Sequence, residues 1–174
     1  MHDVWTAADS VWKTQSTRRV ATPFPYLGTT FLSLMWVVYA ASDPDELALM
    51  LAINAAGMVL NASYVWAYWK VASDETRRRM QWQACLLTVY TAIAVAVASA
   101  GSLEVIGVFA AVVNTLMLLT PLHPVRGVLQ SRNTQGMPLP YFATLLVASL
   151  LWLAFGAYSC RDVIIVPNAV GVFV

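Results

Sequence analysis

Long uncharged apolar runs, separated by short polar breaks, dominate the pattern of hydrophobic and polar positions along this chain. An apolar helix needs roughly 20 residues to cross the hydrocarbon core of a bilayer. Five runs approach that length: Thr22–Ser42, Leu47–Trp69, Trp82–Ala100, Val105–Leu122 and Pro138–Ser159. A sixth, Val163–Val174, has the same character but is too short to cross, so we expect an incomplete last span. The pattern predicts an all-α membrane protein.

The apolar runs form a unit that occurs twice. Each copy opens on two prolines and a tyrosine, continues to a tryptophan, and resumes after a short loop with an asparagine three residues before a glycine. These positions are Pro23–Tyr26, Trp36, Asn54 and Gly57 in the first copy, and Pro138–Tyr141, Trp152, Asn168 and Gly171 in the second. Internal repeats of this kind decide the fold of a chain.

The basic residues predict that the two copies are parallel. Nine of the ten Lys and Arg residues fall in loops on one side of the predicted spans, which we assign to the cytoplasm because positive loops stay inside. An unmatched third span is then needed between the copies as an inversion linker. We expect a first repeat at 1–80, a linker helix at 81–102 and a second repeat at 103–174. A complete chain would have three helices, a linker and three helices, but Met1–Gln15 offers no apolar span.

Composition excludes several kinds of function. Charged residues make up 11 % of the chain and none lies inside a predicted span, which argues for an uncharged solute and against a proton-coupled pump, while sodium bound by backbone carbonyls stays open. The net charge of +1 and the lack of a basic patch give no sign of nucleic-acid binding. His2 and His123 have no nucleophile or metal ligand at useful spacing, so we expect no enzyme, no catalytic residue, no metal and no cofactor.

Several motifs of the chain resemble those of the SWEET family of sugar transporters, and the resemblance covers Val11 to Val174. The motifs are Lys13-Thr14-Gln15-Ser16-Thr17, Trp36-x-x-Tyr39, Thr120-Pro121-Leu122, Met137-Pro138, Trp152-x-x-Phe155-Gly156 and Arg161-Asp162-x-x-x-x-Pro167-Asn168-x-x-Gly171. The resemblance implies two parallel triple-helix repeats joined by a linker helix. It also implies facilitated, bidirectional transport of mono- or disaccharides by alternating access.

The resemblance further implies roles for individual residues. The sugar pocket would use Asn54, Asn168, Trp152 and Trp36. Hinges would be Pro25, Pro121 and Pro138, although Pro23 fits the repeat better than Pro25 does. An outer gate would pair Tyr39 with Asp162, and Ala40 stands where the family usually has glycine.

Other interpretations of these residues stay open. The asparagines could bond a neighbouring helix, the tryptophans could lie in an interfacial belt, and the prolines could simply start helices. The chain could also be a non-transporting assembly partner of full-length sugar transporters, or a related proline-glutamine-loop carrier for another solute. We expect a multi-pass protein of the plasma membrane, or else of the Golgi or vacuolar membrane, that forms homo- or hetero-oligomers.

Overall fold

The computed structural model describes residues 23–100, 102, 104–119 and 139–173. Within these residues all regular structure is helical. The helices are α1 Phe24–Ala40, α2 Ala48–Val71, α3 Asp74–Ala100, α4 Glu104–Leu119, α5 Leu139–Tyr158 and α6 Asp162–Phe173. The predicted all-α fold is confirmed. The segment before Pro23 and the proposed hinges Pro121 and Pro138 lie outside the described residues.

In the part of the chain that the structure describes, three helices are long and apolar enough to cross a membrane, namely Ala48–Val71, Asp74–Ser99 and Leu139–Tyr158. α1, which lies in another predicted span, has 17 residues, slightly fewer than its apolar run suggested. α4 is described over 16 residues. In α1 the difference arises at the ends. Pro23 occupies the N-cap, and the chain turns at Ala41, whose N–H bonds the Val37 carbonyl.

The third helix begins earlier than its apolar run. The apolar pattern starts at Trp82, whereas α3 starts at Asp74 and carries a polar first part. Asp74 and Glu75 lie in the first turn, where the positive end of the helix dipole favours acidic side chains. Arg79 pairs with Glu75 one turn earlier, which adds local support. The helix therefore extends beyond the part that a bilayer would cover.

The chain forms two compact units, Met1–Ile106 and Gly107–Val174. In the first unit α1 packs along α2 and also contacts α3. In the second unit α5 packs along α6. Each unit thus pairs a helix that carries a tryptophan with one that carries an asparagine.

Both helix pairs approach at a glycine of the asparagine helix that faces a serine of the tryptophan helix. A Cβ added at Gly57 would meet Ser33 Oγ at 3.6 Å, an ordinary contact. One added at Gly171 would overlap Ser149 Oγ and come within 3.2 Å of Ser149 Cβ and 3.3 Å of Leu118 Cδ1. Small residues let backbones approach closely in membrane proteins. The glycine–serine contact occurs at the same position of the repeat in both units and is closer in the second unit.

A tight reversal joins α5 to α6. The N–H of Arg161 donates to the Gly156 carbonyl at 3.0 Å, that of Cys160 donates to the Ala157 carbonyl at 3.4 Å, and Cys160 has a φ of 52°. These two bonds and the left-handed residue define a Schellman motif, which usually has glycine at this position. At Gly156 a Cβ would lie 3.1 Å from Ile164, whereas the first unit accommodates Ala40 fully buried.

We predict that Gly171→Ala destabilises the protein because the new methyl group must displace Ser149 and Leu118. Overpacking of this kind costs about 1–3 kcal/mol. Gly57→Ala is the matched control, because the equivalent space in the first unit admits a methyl group and alanine favours a helix. The measurement is the free energy of unfolding of both variants in mixed micelles.

A second variant tests the cause of the loss. Gly171→Ala combined with Ser149→Gly should recover most of the stability, since it removes the atoms that the methyl group meets. Equal stability of the two single glycine variants would contradict the difference in helix separation.

Candidate functional site

The predicted pocket tryptophans each stand against an aromatic ring one turn later. The rings of Trp36 and Tyr39 have centroids 5.8 Å apart at an interplanar angle of 74°. Those of Trp152 and Phe155 are 5.7 Å apart at 85°. Such edge-to-face pairs fix the orientation of an indole ring. The two units therefore present the same aromatic arrangement, with Trp36 buried and Trp152 half-buried.

The two predicted pocket asparagines also share one geometry. Asn54 Nδ2 donates to the Met50 carbonyl at 2.9 Å, and Asn168 Nδ2 donates to the Ile164 carbonyl at 2.7 Å. Each amide is thus tied to its own helix four residues back, rather than to a neighbouring helix. An amide has two N–H donors and a carbonyl oxygen, so this bond leaves hydrogen-bonding capacity on both side chains. Asn168 is buried and Asn54 is half-buried.

Pro167 precedes Asn168 inside α6 and is fully buried. Proline has no N–H, so the carbonyl of Val163 loses its usual partner within the helix. The corresponding residue of α2 is Ile53, which has a backbone N–H and does not interrupt the hydrogen bonding of the helix. The asparagine helices of the two units therefore differ at this one point.

The predicted gate residues lie at helix ends. Tyr39 is buried in the last turn of α1. Asp162 is exposed at the first position of α6, where a carboxylate is favoured by the helix dipole. Tyr39 belongs to the first unit and Asp162 to the second.

The first-turn prolines clarify how the repeats correspond. Thr29 Oγ1 donates to the Pro25 carbonyl and Thr144 Oγ1 donates to the Pro140 carbonyl, both at 2.8 Å. Pro25 is exposed and lies at the second position of α1, as Pro140 does in α5. If Pro25 corresponds to Pro140, then Pro23, the buried N-cap residue of α1, corresponds in the repeat to Pro138.

The second unit also has an open apolar groove of about 400 Å³ between α4 and α6. Its walls include Val108, Val112, Thr115 and Leu116 of α4, and Asp162 and Val166 of α6. Neither Trp152 nor Asn168 lines it. The groove lacks convergent polar groups, so the aromatic and amide pairs remain the better candidate site.

Sequence reasoning missed two residues next to the candidate site, Ser33 and Ser149. Each stands three residues before its tryptophan and faces the glycine of the asparagine helix. The signal was present in the sequence, since a serine occurs at the same place in both copies of the repeat. We call Trp36, Asn54 and Ser33 the first half-site, and Trp152, Asn168 and Ser149 the second half-site.

This repeated architecture agrees with comparisons with known proteins. A family model described as "Sugar efflux transporter for intercellular exchange" matches residues 6–76 and 104–174. These two stretches cover most of the chain and contain both half-sites. The chain belongs to this family, the SWEET family, and is an integral membrane protein.

Individual relatives have low sequence identity to this chain. The bidirectional sugar transporter SWEET4 of Oryza sativa subsp. indica is 28 % identical over 173 residues, which cover 93 % of this chain and 65 % of the relative. The bidirectional sugar transporter SWEET5 of Arabidopsis thaliana is 22 % identical, with 92 % and 70 % covered. The sugar transporter SWEET1 of Dictyostelium discoideum is 26 % identical, with 82 % and 68 % covered. The chain thus spans about two thirds of the length of these relatives.

A solved structure of a eukaryotic SWEET transporter has the same fold. It superposes with a TM-score of 0.80 at 21 % identity, and the match covers 97 % of this chain and 81 % of the other. At this identity the likeness shows the fold. The fold predicted from the two copies of the repeat is thereby confirmed.

Proposed function

We propose that this chain is a facilitative, bidirectional carrier of mono- or disaccharides that works by alternating access. The observation that carries the proposal is the matched pair of half-sites. Each combines an indole ring held by an aromatic neighbour with an asparagine amide that keeps free hydrogen-bonding capacity. The relatives named as bidirectional sugar transporters support it.

The chemistry of the half-sites suits a neutral sugar. A pyranose offers an apolar C–H face and a rim of hydroxyl groups that donate and accept. An indole ring matches the face and an amide matches the hydroxyl groups without carrying charge. We propose that Trp36, Asn54, Trp152 and Asn168 are the sugar-binding residues.

The moving parts follow from the repeat. We propose that 1–80 and 103–174 act as the two repeats and that 81–102 links them. Pro121, Pro138 and Pro25 serve as hinges, with Pro23 the closer counterpart of Pro138. Tyr39 and Asp162 form the outer gate. A proline in or at the start of a membrane helix removes a backbone bond and lowers the cost of bending there.

We further propose that the protein works in the plasma membrane as a homo- or hetero-oligomer with like transporters. Each described unit exposes large apolar side chains along its helices, among them Leu60, Trp66, Leu116 and Leu151. Such faces suit lipid and neighbouring transporter subunits equally well.

We predict that Asn168→Ala lowers sugar uptake at least tenfold, because the sugar loses hydrogen bonds while the helix keeps its backbone bonds. Each hydrogen bond contributes about 1 kcal/mol to binding, and the variant loses two bonds between the Asn168 amide and the sugar. Asn61→Ala is the matched control, since Asn61 makes the same bond to its own helix, to the Gly57 carbonyl at 2.8 Å. Uptake of labelled glucose and sucrose is measured at equal surface expression.

The comparison between the two variants isolates the role of the site. Asn61→Ala should keep uptake near the parental rate. Parental uptake by Asn168→Ala, or an equal loss in both variants, would speak against a sugar site at Asn168.

We predict that transport is independent of the proton gradient. No Asp, Glu, Lys or Arg lies within the apolar part of any described helix, and proton relays in carriers are built from ionisable groups of this kind. The measurement is sugar flux into proteoliposomes with and without a protonophore, at a fixed sugar gradient. The initial rates should agree, and a severalfold drop on collapse of the proton gradient would refute facilitated diffusion.

A further inference from the structure

The helical hairpin formed by α2 and α3 carries a group of basic side chains at the end where its two arms join. Two of them are balanced by acidic residues at the start of α3. Arg79 pairs with Glu75 one turn earlier, and Arg77 Nη1 lies 3.5 Å from Asp74 Oδ1. The group consists of Lys70, Arg77, Arg78 and Arg79.

Arg77 holds the two arms of the hairpin together. Its Nε donates to the Trp69 carbonyl at 3.1 Å, and its Nη2 donates to the Lys70 carbonyl at 3.3 Å. These are two of the last four carbonyls of α2, which have no partner within their helix. The guanidinium group also lies 6.0 Å from the centre of the Trp69 ring. Arg77 therefore caps α2 and brings the start of α3 level with the end of α2.

The other two basic side chains, Lys70 and Arg78, have no such partners. Both are exposed, and within the described part of the chain neither side chain forms an ion pair or a hydrogen bond. The nearby carboxylates of Asp74 and Glu75 already face other arginines. Two positive charges at this end of the hairpin are thus left uncompensated by the protein.

An exposed tryptophan lies one helical turn from each of these two cations. Trp66 precedes Lys70 by four residues on α2, and Trp82 follows Arg78 by four residues on α3. Trp66 is 59 % exposed and Trp82 is 68 % exposed. Lys70 Nζ lies 5.2 Å from the centre of the Trp66 ring. Because α2 runs towards the connecting loop and α3 runs away from it, each cation stands about 6 Å nearer the loop than its tryptophan.

This order of groups matches the layers at the surface of a bilayer. Indole rings favour the membrane interface, where one end of the ring is in an apolar and the other in a wet environment. The lipid phosphates lie farther out, and a long basic side chain one turn beyond the ring can reach them. A guanidinium group binds a phosphate through paired hydrogen bonds, and an ammonium group binds it as a point charge. Each arm of the hairpin therefore offers a ring for the interface and a cation for a phosphate.

Two simpler explanations leave part of this arrangement unexplained. The preference of basic loops for one side of a membrane depends on the number of charges and not on which of them are paired. A soluble phosphate compound would match the two cations but would leave two large indole rings exposed to water. A phospholipid accounts for both the free cations and the exposed rings.

We propose that Lys70 and Arg78 bind the phosphate headgroups of anionic phospholipids, with Trp66 and Trp82 setting the depth of the hairpin in the membrane. Basic residues beside a membrane helix attract anionic lipids, and each of them adds to the attraction. None of these four residues belongs to a half-site, so the inference goes beyond sugar transport and does not depend on it. A ligand that binds only the folded protein stabilises it, so the stability of the chain should depend on the charge of the surrounding lipid.

The first test follows the Tm of the full chain in neutral detergent micelles that contain phosphatidylcholine. Dioleoylphosphatidic acid then replaces phosphatidylcholine in steps, and the Tm of the parent should rise to a plateau. Lys70→Gln and Arg78→Gln should each raise the mole fraction of phosphatidic acid at half of the rise about fivefold. The double variant should show no rise over the range that saturates the parent. An unchanged half-point in both single variants overturns the proposal.

Arg79→Gln is the matched control. It removes the same charge from the adjacent position of the same helix, but the Arg79 guanidinium group already has Glu75 as its partner. Its half-point should stay within about twofold of the parental value, because a paired cation contributes little to lipid binding. Equal weakening in Arg79→Gln and Arg78→Gln would show a response to net charge alone and would also overturn the site.

The second test uses the parent protein and so does not depend on the folding of any variant. Inorganic phosphate and glycerol 3-phosphate are added to the phosphatidylcholine micelles in place of phosphatidic acid, at the same total concentration. Neither should change the Tm, because neither reaches the interface that the two tryptophans occupy. A rise equal to that with phosphatidic acid would assign the cations to a soluble phosphate compound. That result, or the same Tm in phosphatidic acid and in phosphatidylcholine, refutes a phospholipid site.

Discussion

The contact of a glycine on one helix with a serine on its neighbour recurs in both units, and in the second unit it is so close that only glycine fits without a shift of its neighbours. A glycine on the asparagine helix faces a serine on the tryptophan helix in each unit. Lipid tails are as apolar as the helix surfaces, so association must come from tight packing and polar contacts rather than from exclusion of water. The contact also fixes the register in which the tryptophan and the asparagine of a half-site stand on adjoining helices. Fold and candidate site therefore share one determinant.

Neutrality is the second constraint on the site. A charged side chain at the centre of a bilayer is costly, whereas an amide needs only hydrogen-bond partners. Asn54 and Asn168 meet part of that need within their own helices. The arrangement keeps each amide tolerable in an apolar environment when no ligand is bound and still leaves groups that can recognise one.

Much of this architecture was predictable from the sequence because membrane helices leave strong patterns. The apolar runs predicted the helices, and the recurrence of tryptophan, asparagine and glycine predicted the repeat. Helix ends were less accurate. The polar start of α3 at Asp74 has no apolar signature, and the shorter α1 depends on how Pro23 and Ala41 are accommodated. The hydrophobic pattern contains neither piece of information.

The details of the candidate site were harder to predict. Trp36 and Trp152 were recognised from their place in the repeat, and their aromatic partners lie one turn later in both units. That the asparagines bond their own helices could not be derived, because a side chain that can reach several carbonyls gives no sign in the sequence of which one it uses. Ser33 and Ser149 were overlooked for a related reason. A serine in an apolar helix is commonplace, and only its recurrence at the same place in both copies of the repeat sets it apart.

Pro167 gives the two units different mechanical properties. Backbone hydrogen bonds make a helix resist bending. In α6 the bond to the Val163 carbonyl is missing because Pro167 has no N–H, whereas α2 has Ile53 at the corresponding position and keeps that bond. Under equal load α6 is the more compliant of the two asparagine helices. The two units have nearly the same sequence pattern, but their asparagine helices differ in their resistance to bending. A bend in an asparagine helix therefore costs less in the second unit, next to Asn168, than at the corresponding place in the first.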